Sequence, residues 1–256
     1  MTCNVFRFAS AATTLLLMAI TVPAIAAPVK NIVLVHGAFV NGSGWQPVFE
    51  ILVKDGYHVS VAEHPLSSFG DDVTAVKRVL AMQEGPMILV GHSYGGAIIT
   101  EVGNDPKVVG LVYIAAHALD EGETEVANGK KFPNATKAVK RTTDDFLYLD
   151  PAFYPADFAA DLPEKQATFE AQAQEPTAAS VFTTPAGVPA WKTKPSWYAV
   201  AKSDRIINPD LQWMYAKRAH SHTIEVEGAS HSVYESHPKE VAALIEEAAN
   251  HAVDGK

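Results

Sequence analysis

The stretch Met87-Ile88-Leu89-Val90-Gly91-His92-Ser93-Tyr94-Gly95-Gly96-Ala97-Ile98-Ile99 constrains this chain more than any other. A β-prone apolar run passes into G-x-S-x-G and directly into small, helix-compatible residues, which is the strand–turn–helix context in which that motif carries chemistry. A turn this sharp strains the serine backbone and brings the flanking chain so close that Gly91 and Gly95 leave no room for a Cβ. Gly96 extends the same logic to the packing of the helix on its strand. The Ser93 hydroxyl is thereby presented at the carboxyl end of a strand, beside a helix N-terminus that favours negative charge. The context, and not the bare pattern, makes Ser93 a candidate nucleophile.

Around this turn, strands and helices alternate. Asn31–Val35 is a short β-branched run typical of a strand buried on both faces, and it ends in His36-Gly37-Ala38-Phe39. A helix is predicted over Trp45–Lys54, a strand over Tyr57–Ala62, and an amphipathic helix over Asp71–Gln83 with Val73, Val76, Val79 and Leu80 on one face. After the helix that follows Ser93, Val108–Ala115 reads as another buried strand. From about Leu119 to Pro189 the alternation stops, and the sequence predicts short helical pieces around Asp144–Leu149 and Pro163–Gln174 with no convincing strand. An insertion of that size at the carboxyl edge of a parallel sheet lies over the site, so 119–189 is read as a cap. Alternation resumes with a strand over Ser196–Ala201, a helix over Pro209–Ala219, a strand over Thr223–Val226 and a helix over Pro238–Ala252. The fold class is α/β, a doubly wound, mostly parallel sheet with a small, mainly helical cap.

With 256 residues and 48% hydrophobic content, the chain suits one α/β domain spanning 27–256. Its first 26 residues differ: Arg7 precedes the apolar run Ala11–Val22, and Pro23-Ala24-Ile25-Ala26-Ala27 supplies an A-x-A-like end. They read as a cleavable export signal, too short to span a membrane comfortably, so the mature protein is expected in the periplasm or secreted, with no stable membrane association. Cleavage removes Cys3, the sole cysteine, and with it any disulfide, thiol nucleophile or thiolate metal site. The net charge of −9 without a basic run argues against nucleic acid as a partner. A small neutral substrate fits better, and nothing in the sequence indicates an oligomeric state.

A serine hydroxyl needs a base within hydrogen-bond reach, and the base needs an orienting carboxylate. Asp204 follows the penultimate strand and His231 the last one, so adjacent parallel strands deliver both to the edge where Ser93 sits. Of the ten histidines, His36 and His92 lie beside the turns as supports, His220 and His222 flank the wrong end of the last strand, His237 starts a helix, and His117 can face the pocket without being the base. Asp120 is the rival acid. The oxyanion needs two backbone donors: Tyr94 supplies one and the turn after the first strand the other, at Ala38 or, next in order, Phe39. Phe39, Trp45, Tyr94, His117, Trp197 and Tyr234 are candidate pocket residues.

His36-Gly37-Ala38 with Trp45, Gly91-His92-Ser93-Tyr94-Gly95-Gly96, Ser203-Asp204 and Gly228-Ala229-Ser230-His231 together resemble the α/β-hydrolase superfamily along essentially the whole mature chain. The closer resemblance is to its small-capped branch of esterases, plant methylesterases and hydroxynitrile lyases. That resemblance implies a Ser93–Asp204–His231 triad, in the chain order of the family, with Ala38 and Tyr94 as the oxyanion hole. Hydroxynitrile lyases of the branch carry threonine at the Gly37 position and lysine directly after the histidine, where this chain has Ser232; dehalogenases and epoxide hydrolases carry aspartate where Ser93 stands. The expectation is a serine hydrolase cleaving small carboxylic esters or lactones, with neither metal nor cofactor. The alternatives are a non-hydrolytic lyase or cofactor-free oxidoreductase on the same triad, and a catalytically silent binding protein.

Overall fold

The computed structural model describes residues 1–4 and 29–252, so the export signal read at 1–26 falls almost entirely outside the described residues. The chain opens with β1 (Asn31–Val35), followed by α1 (Gln46–Lys54), β2 (His58–Ala62), α2 (Phe69–Ala81), β3 (Met87–His92), α3 (Tyr94–Val102) and β4 (Val108–Ile114). Local chemistry sets several of these boundaries. Ser68 caps α2 by accepting a hydrogen bond from Asp71 N–H at 3.1 Å, with Asp71 and Asp72 in the positive first turn. Pro47 sits in the first turn of α1, where its missing N–H costs nothing.

The cap follows as α4 (Glu125–Lys131), β5 (Val139–Arg141), β6 (Phe146–Leu149), α5 (Tyr154–Asp157), α6 (Glu164–Gln172) and β7 (Thr177–Ala178). The core then resumes with β8 (Ser196–Ala201), α7 (Pro209–Arg218), β9 (His222–Val226), α8 (Val233–Ser236) and α9 (Pro238–His251). The cap corrects the sequence reading in one respect. Residues Phe146–Leu149, expected to be helical, form the middle strand of a three-stranded antiparallel sheet ordered β5-β6-β7, with Lys140 opposite Tyr148 and Leu147 opposite Thr177. A four-residue apolar run fits either conformation, and a partner strand about thirty residues away decides it.

The main sheet is six-stranded in the order β2-β1-β3-β4-β8-β9, and every pairing is parallel. Side chains alternate across it with period two. Val33, Val35, Leu89, Leu111, Tyr113 and Tyr198 join α2, α3, α7 and the cap on one face. Ile32, Leu34, Ile88, Val90, Val112 and Trp197 join α1 and α9 on the other. The chain reverses direction of growth between β1 and β3, so the loops leaving these two strands diverge and leave a crevice at their carboxyl ends.

Candidate active site

Ser93 occupies that crevice with φ 54° and ψ −123°, outside the favoured regions for an L-residue. The strain is held from several sides: Ser93 N–H donates to Ile114 O at 3.2 Å, and Ser93 O accepts from His117 N–H and Gly96 N–H, both at 3.0 Å. At Gly95 a Cβ would stand 2.5 Å from His36 O and 2.6 Å from Val35 O, so this turn packs backbone against backbone with β1. A Cβ on Gly37 would stand 2.8 Å from Ser93 Cβ, which places the turn after β1 directly against the serine.

Asp204, in the loop after β8, accepts at Oδ1 from Ile206 N–H (2.7 Å) and Ile207 N–H (3.0 Å), and at Oδ2 from Gln212 Nε2 (2.7 Å). His231 Nδ1 reaches the same Oδ2 at 2.7 Å. A carboxylate so supplied with donors only accepts, so Nδ1 carries the ring proton and Nε2 presents a lone pair. Nε2 lies 2.9 Å from Ser93 Oγ. All three residues are buried. An alcohol in this position can pass its proton to the imidazole as it attacks a carbonyl, and the carboxylate offsets the charge left on the ring.

The His231 ring is fixed by its surroundings. His92 Nε2 donates to His231 O at 2.9 Å, and the Phe158 ring of the cap meets the imidazole edge-on at 4.7 Å. The rival acid, Asp120, is turned to Lys192 Nζ at 2.6 Å. For the oxyanion, the structure separates Ala38 from Phe39: Phe39 N–H is committed to Thr177 Oγ1 at 3.1 Å. Ala38 borders the cavity beside Ser93, and Tyr94 stands at the start of α3.

A cavity of about 230 Å³ opens on Ser93 between sheet and cap. Phe39 and His117, both anticipated, line it together with Phe182, Leu147, Leu149 and Ile207. Trp45, Trp197 and Tyr234, expected on its wall from the sequence, lie elsewhere. Period two turns Trp197 to the α9 face, where it stacks on His222 at 5.4 Å. Trp45 and Tyr234 pack on each other at 4.7 Å on that same face, and Tyr234 borders a different cleft. Tyr94 turns its hydroxyl to Asp72 Oδ2 at 2.7 Å, away from the cavity.

Of the polar residues on the cavity wall besides Ser93, His117 was anticipated and Glu125, Asn134, Thr136 and Asn208 were not. Asn128 Nδ2 donates to Tyr215 OH at 3.1 Å, so the tyrosine hydrogen goes to His117 Nδ1 at 3.2 Å. That leaves the imidazole proton on Nε2, 3.2 Å from Glu125 Oε2. Burial pushes His117 down to about 3, with nearby His231 adding to the shift, and burial pushes Glu125 up to about 8. Both are therefore uncharged at neutral pH. Glu125 was missed because a carboxylate in a polar stretch reads as solvated; its one local signal is Thr124, whose Oγ1 accepts from Ala127 N–H and so starts α4 at Glu125.

A sequence profile described as the alpha/beta hydrolase family matches residues 32–244. The chain belongs to that family. It is similar to a carbendazim-hydrolysing esterase of Nocardioides sp., 35% identical over 111 residues that cover 38% of this chain and 46% of that one. It is also similar to a pyrethroid hydrolase of Sphingobium wenxiniae, 34% identical over 101 residues covering 34% and 36%. The chain spans less than half the length of these relatives in the matched stretches. Among solved structures, a pyrethroid hydrolase superposes with a TM-score of 0.77 at 25% identity, over 87% of this chain and 98% of that one. A methylesterase from Arabidopsis superposes at 0.73 and 19% identity, over 86% and 98%, a likeness of fold alone. The resemblance read from the residues, to the esterase branch of the fold, is the one these comparisons support.

Proposed function

We propose that this protein is a serine hydrolase that cleaves small, uncharged carboxylic esters or lactones through an acyl-enzyme. Ser93 Oγ attacks the ester carbon while its proton passes to His231 Nε2, and Asp204 holds the ring in the required tautomer. Ala38 and Tyr94 N–H groups receive the oxyanion. The ester C–O bond breaks as the alcohol leaves with that proton. Water then adds to the acyl carbon, giving its proton to Nε2; the acid departs and Ser93 regains its hydrogen. The observation that carries this reading is the unbroken Asp204–His231–Ser93 hydrogen-bond chain opening on a cavity lined mainly by apolar side chains. At about 230 Å³ the space lies below the ~300–1,000 Å³ of drug-sized sites, and its neutral Glu125 and His117 suit an uncharged substrate.

Fluorophosphonate labelling followed by peptide mapping tests the proposal: the label is expected on Ser93, with p-nitrophenyl acetate cleavage lost in parallel, and labelling elsewhere or nowhere sinks it. A lyase reading finds no support at Gly37, where a side chain would meet Ser93, or at buried Ser232, which takes the place of the lyase lysine. Cyanide release from a cyanohydrin by the purified enzyme would reopen it. Residues 1–26 are proposed as an export leader; N-terminal sequencing of the protein recovered outside the cytoplasm should begin near Ala27, and an intact Met1 would refute this.

A further inference from the structure

A second cleft of about 340 Å³ lies on the far side of Phe39, between α6 of the cap and the α1 and α8 edge of the core. Phe39 is the one residue bordering both this cleft and the Ser93 cavity. The cleft's ionisable carboxyls, Glu50, Glu170 and Glu235, are matched by no Lys or Arg among the described residues that line it. Gln166 spends its amide hydrogens on one oxygen of each inner carboxyl, Glu170 Oε1 at 2.9 Å and Glu235 Oε2 at 3.1 Å. The hydroxyl of Tyr154, a fully buried residue on the cleft wall, has no partner, whereas the Tyr234 hydroxyl and the Glu170 carboxyl both lie against Glu235. Buried polar atoms without partners are rare in folded proteins, and this one, on Tyr154, belongs to a residue lining the cleft beside the two carboxyls.

We propose that this cleft binds a primary organic ammonium ion, its –NH₃⁺ held by the Glu170–Glu235 pair and the Tyr154 hydroxyl, and its hydrocarbon body lying against Phe169. An ammonium offers three donors to these oxygens, and its charge relieves two carboxyls forced together across the cap–core boundary. Burial, and then the adjacent Glu170, hold Glu235 protonated well above the ordinary carboxyl range, so a proton occupies the place that a bound cation would take. Water would fill the lone pairs without relieving that repulsion. A metal ion fits less well, since no cluster of three or more His, Cys, Asp or Glu groups converges among the described residues. Phe169 is 71% exposed at the rim, an uncovered ring suited to alkyl or aryl contact and to a nearby cation.

The site is independent of the ester chemistry, so its test needs no turnover. Calorimetric titration of the full chain with n-butylammonium chloride at pH 7, in phosphate and in HEPES at matched ionic strength, should show saturable binding with proton release, the heat differing between buffers. Glu170→Gln should weaken binding about tenfold or more, and Glu235→Gln should abolish the proton release. Tyr154→Phe carries the same affinity test if either carboxyl variant fails to fold. Absence of saturable binding, equal binding of potassium, or unchanged affinity in both carboxyl variants would overturn the proposal.

Discussion

The rim of the main sheet and the cap hold two buried carboxyls, Asp204 and Glu125, in opposite ways. Along the rim, the Asp204 oxygens, both His231 nitrogens and the Ser93 hydroxyl are joined in one chain of contacts between 2.7 and 3.0 Å. In the cap, Glu125 Oε1 is buried without a partner. The rim is anchored by parallel strands buried on both faces, which cannot shift without breaking a ladder. The cap is built from elements of two to nine residues on a three-stranded sheet. Fixed geometry therefore belongs to the sheet, and the cap supplies surfaces that await something else. On this view the rim determines how fast bonds change and the cap determines which molecules are taken.

The sharpest way to break that division is at the rim. Ser93→Ala should lower kcat for p-nitrophenyl acetate by about 10⁴-fold or more. Asp204→Asn should cost about 10⁴-fold, because the amide no longer selects the Nδ1–H tautomer, while Asp120→Asn stays within about twofold. Equal losses from the two aspartate variants, measured side by side, would show that the loop after β8 does not supply the acid.

A middle-sized effect tests the cap by pH. Glu125 takes up its proton near 8 when folded against an ordinary value of 4.5, so the folded state binds more protons between those limits and stability falls as pH rises through that window. Glu125→Gln removes the loss: unfolding free energies from denaturant titrations should match wild type near pH 4.5 and exceed it by on the order of 2–3 kcal/mol at pH 7. An unchanged pH profile would mean that Glu125 is not held neutral. The smallest effect concerns selection. Phe182→Ala, opposite Phe39 at 5.9 Å, should shift the ratio of kcat/KM between short and long acyl esters by about tenfold with kcat on acetate little changed. A loss of kcat as large as that of a rim variant would erase the distinction between the regions.

Much of the rim was legible because its signals are local. Gly91-x-Ser93-x-Gly95 needs only its own neighbours to be read as a strand–turn–helix corner, and apolar runs such as Ile88–Val90 mark strands buried on both faces. The chain order of Ser93, Asp204 and His231, with each acid or base following a strand, then brought the three to one edge. The cap was less legible because its structure is set at a distance. Phe146–Leu149 becomes a strand only through Thr177–Ala178, and α4, with Gly129 inside it and Lys130-Lys131 at its end, shows little apolar periodicity. Glu125 meets His117, which is held in turn by Tyr215, ninety residues further along the chain from Glu125. The aromatic pocket failed for a different reason: period two had already assigned Trp197 to the α9 face, and aromatic content alone says nothing about which side of a sheet a ring occupies.

Phe39 stands with φ 69° between two voids of about 230 and about 340 Å³, its carbonyl accepting from Glu175 N–H at 3.1 Å. It acts as a partition, and a bulky ring is an awkward occupant of left-handed backbone that glycine adopts freely. Phe39→Gly would relax the main chain and open a continuous trough from the serine to the outer cleft. Esters too long for the wild-type enzyme should then become substrates, so the protein stands one side chain away from a markedly broader diet.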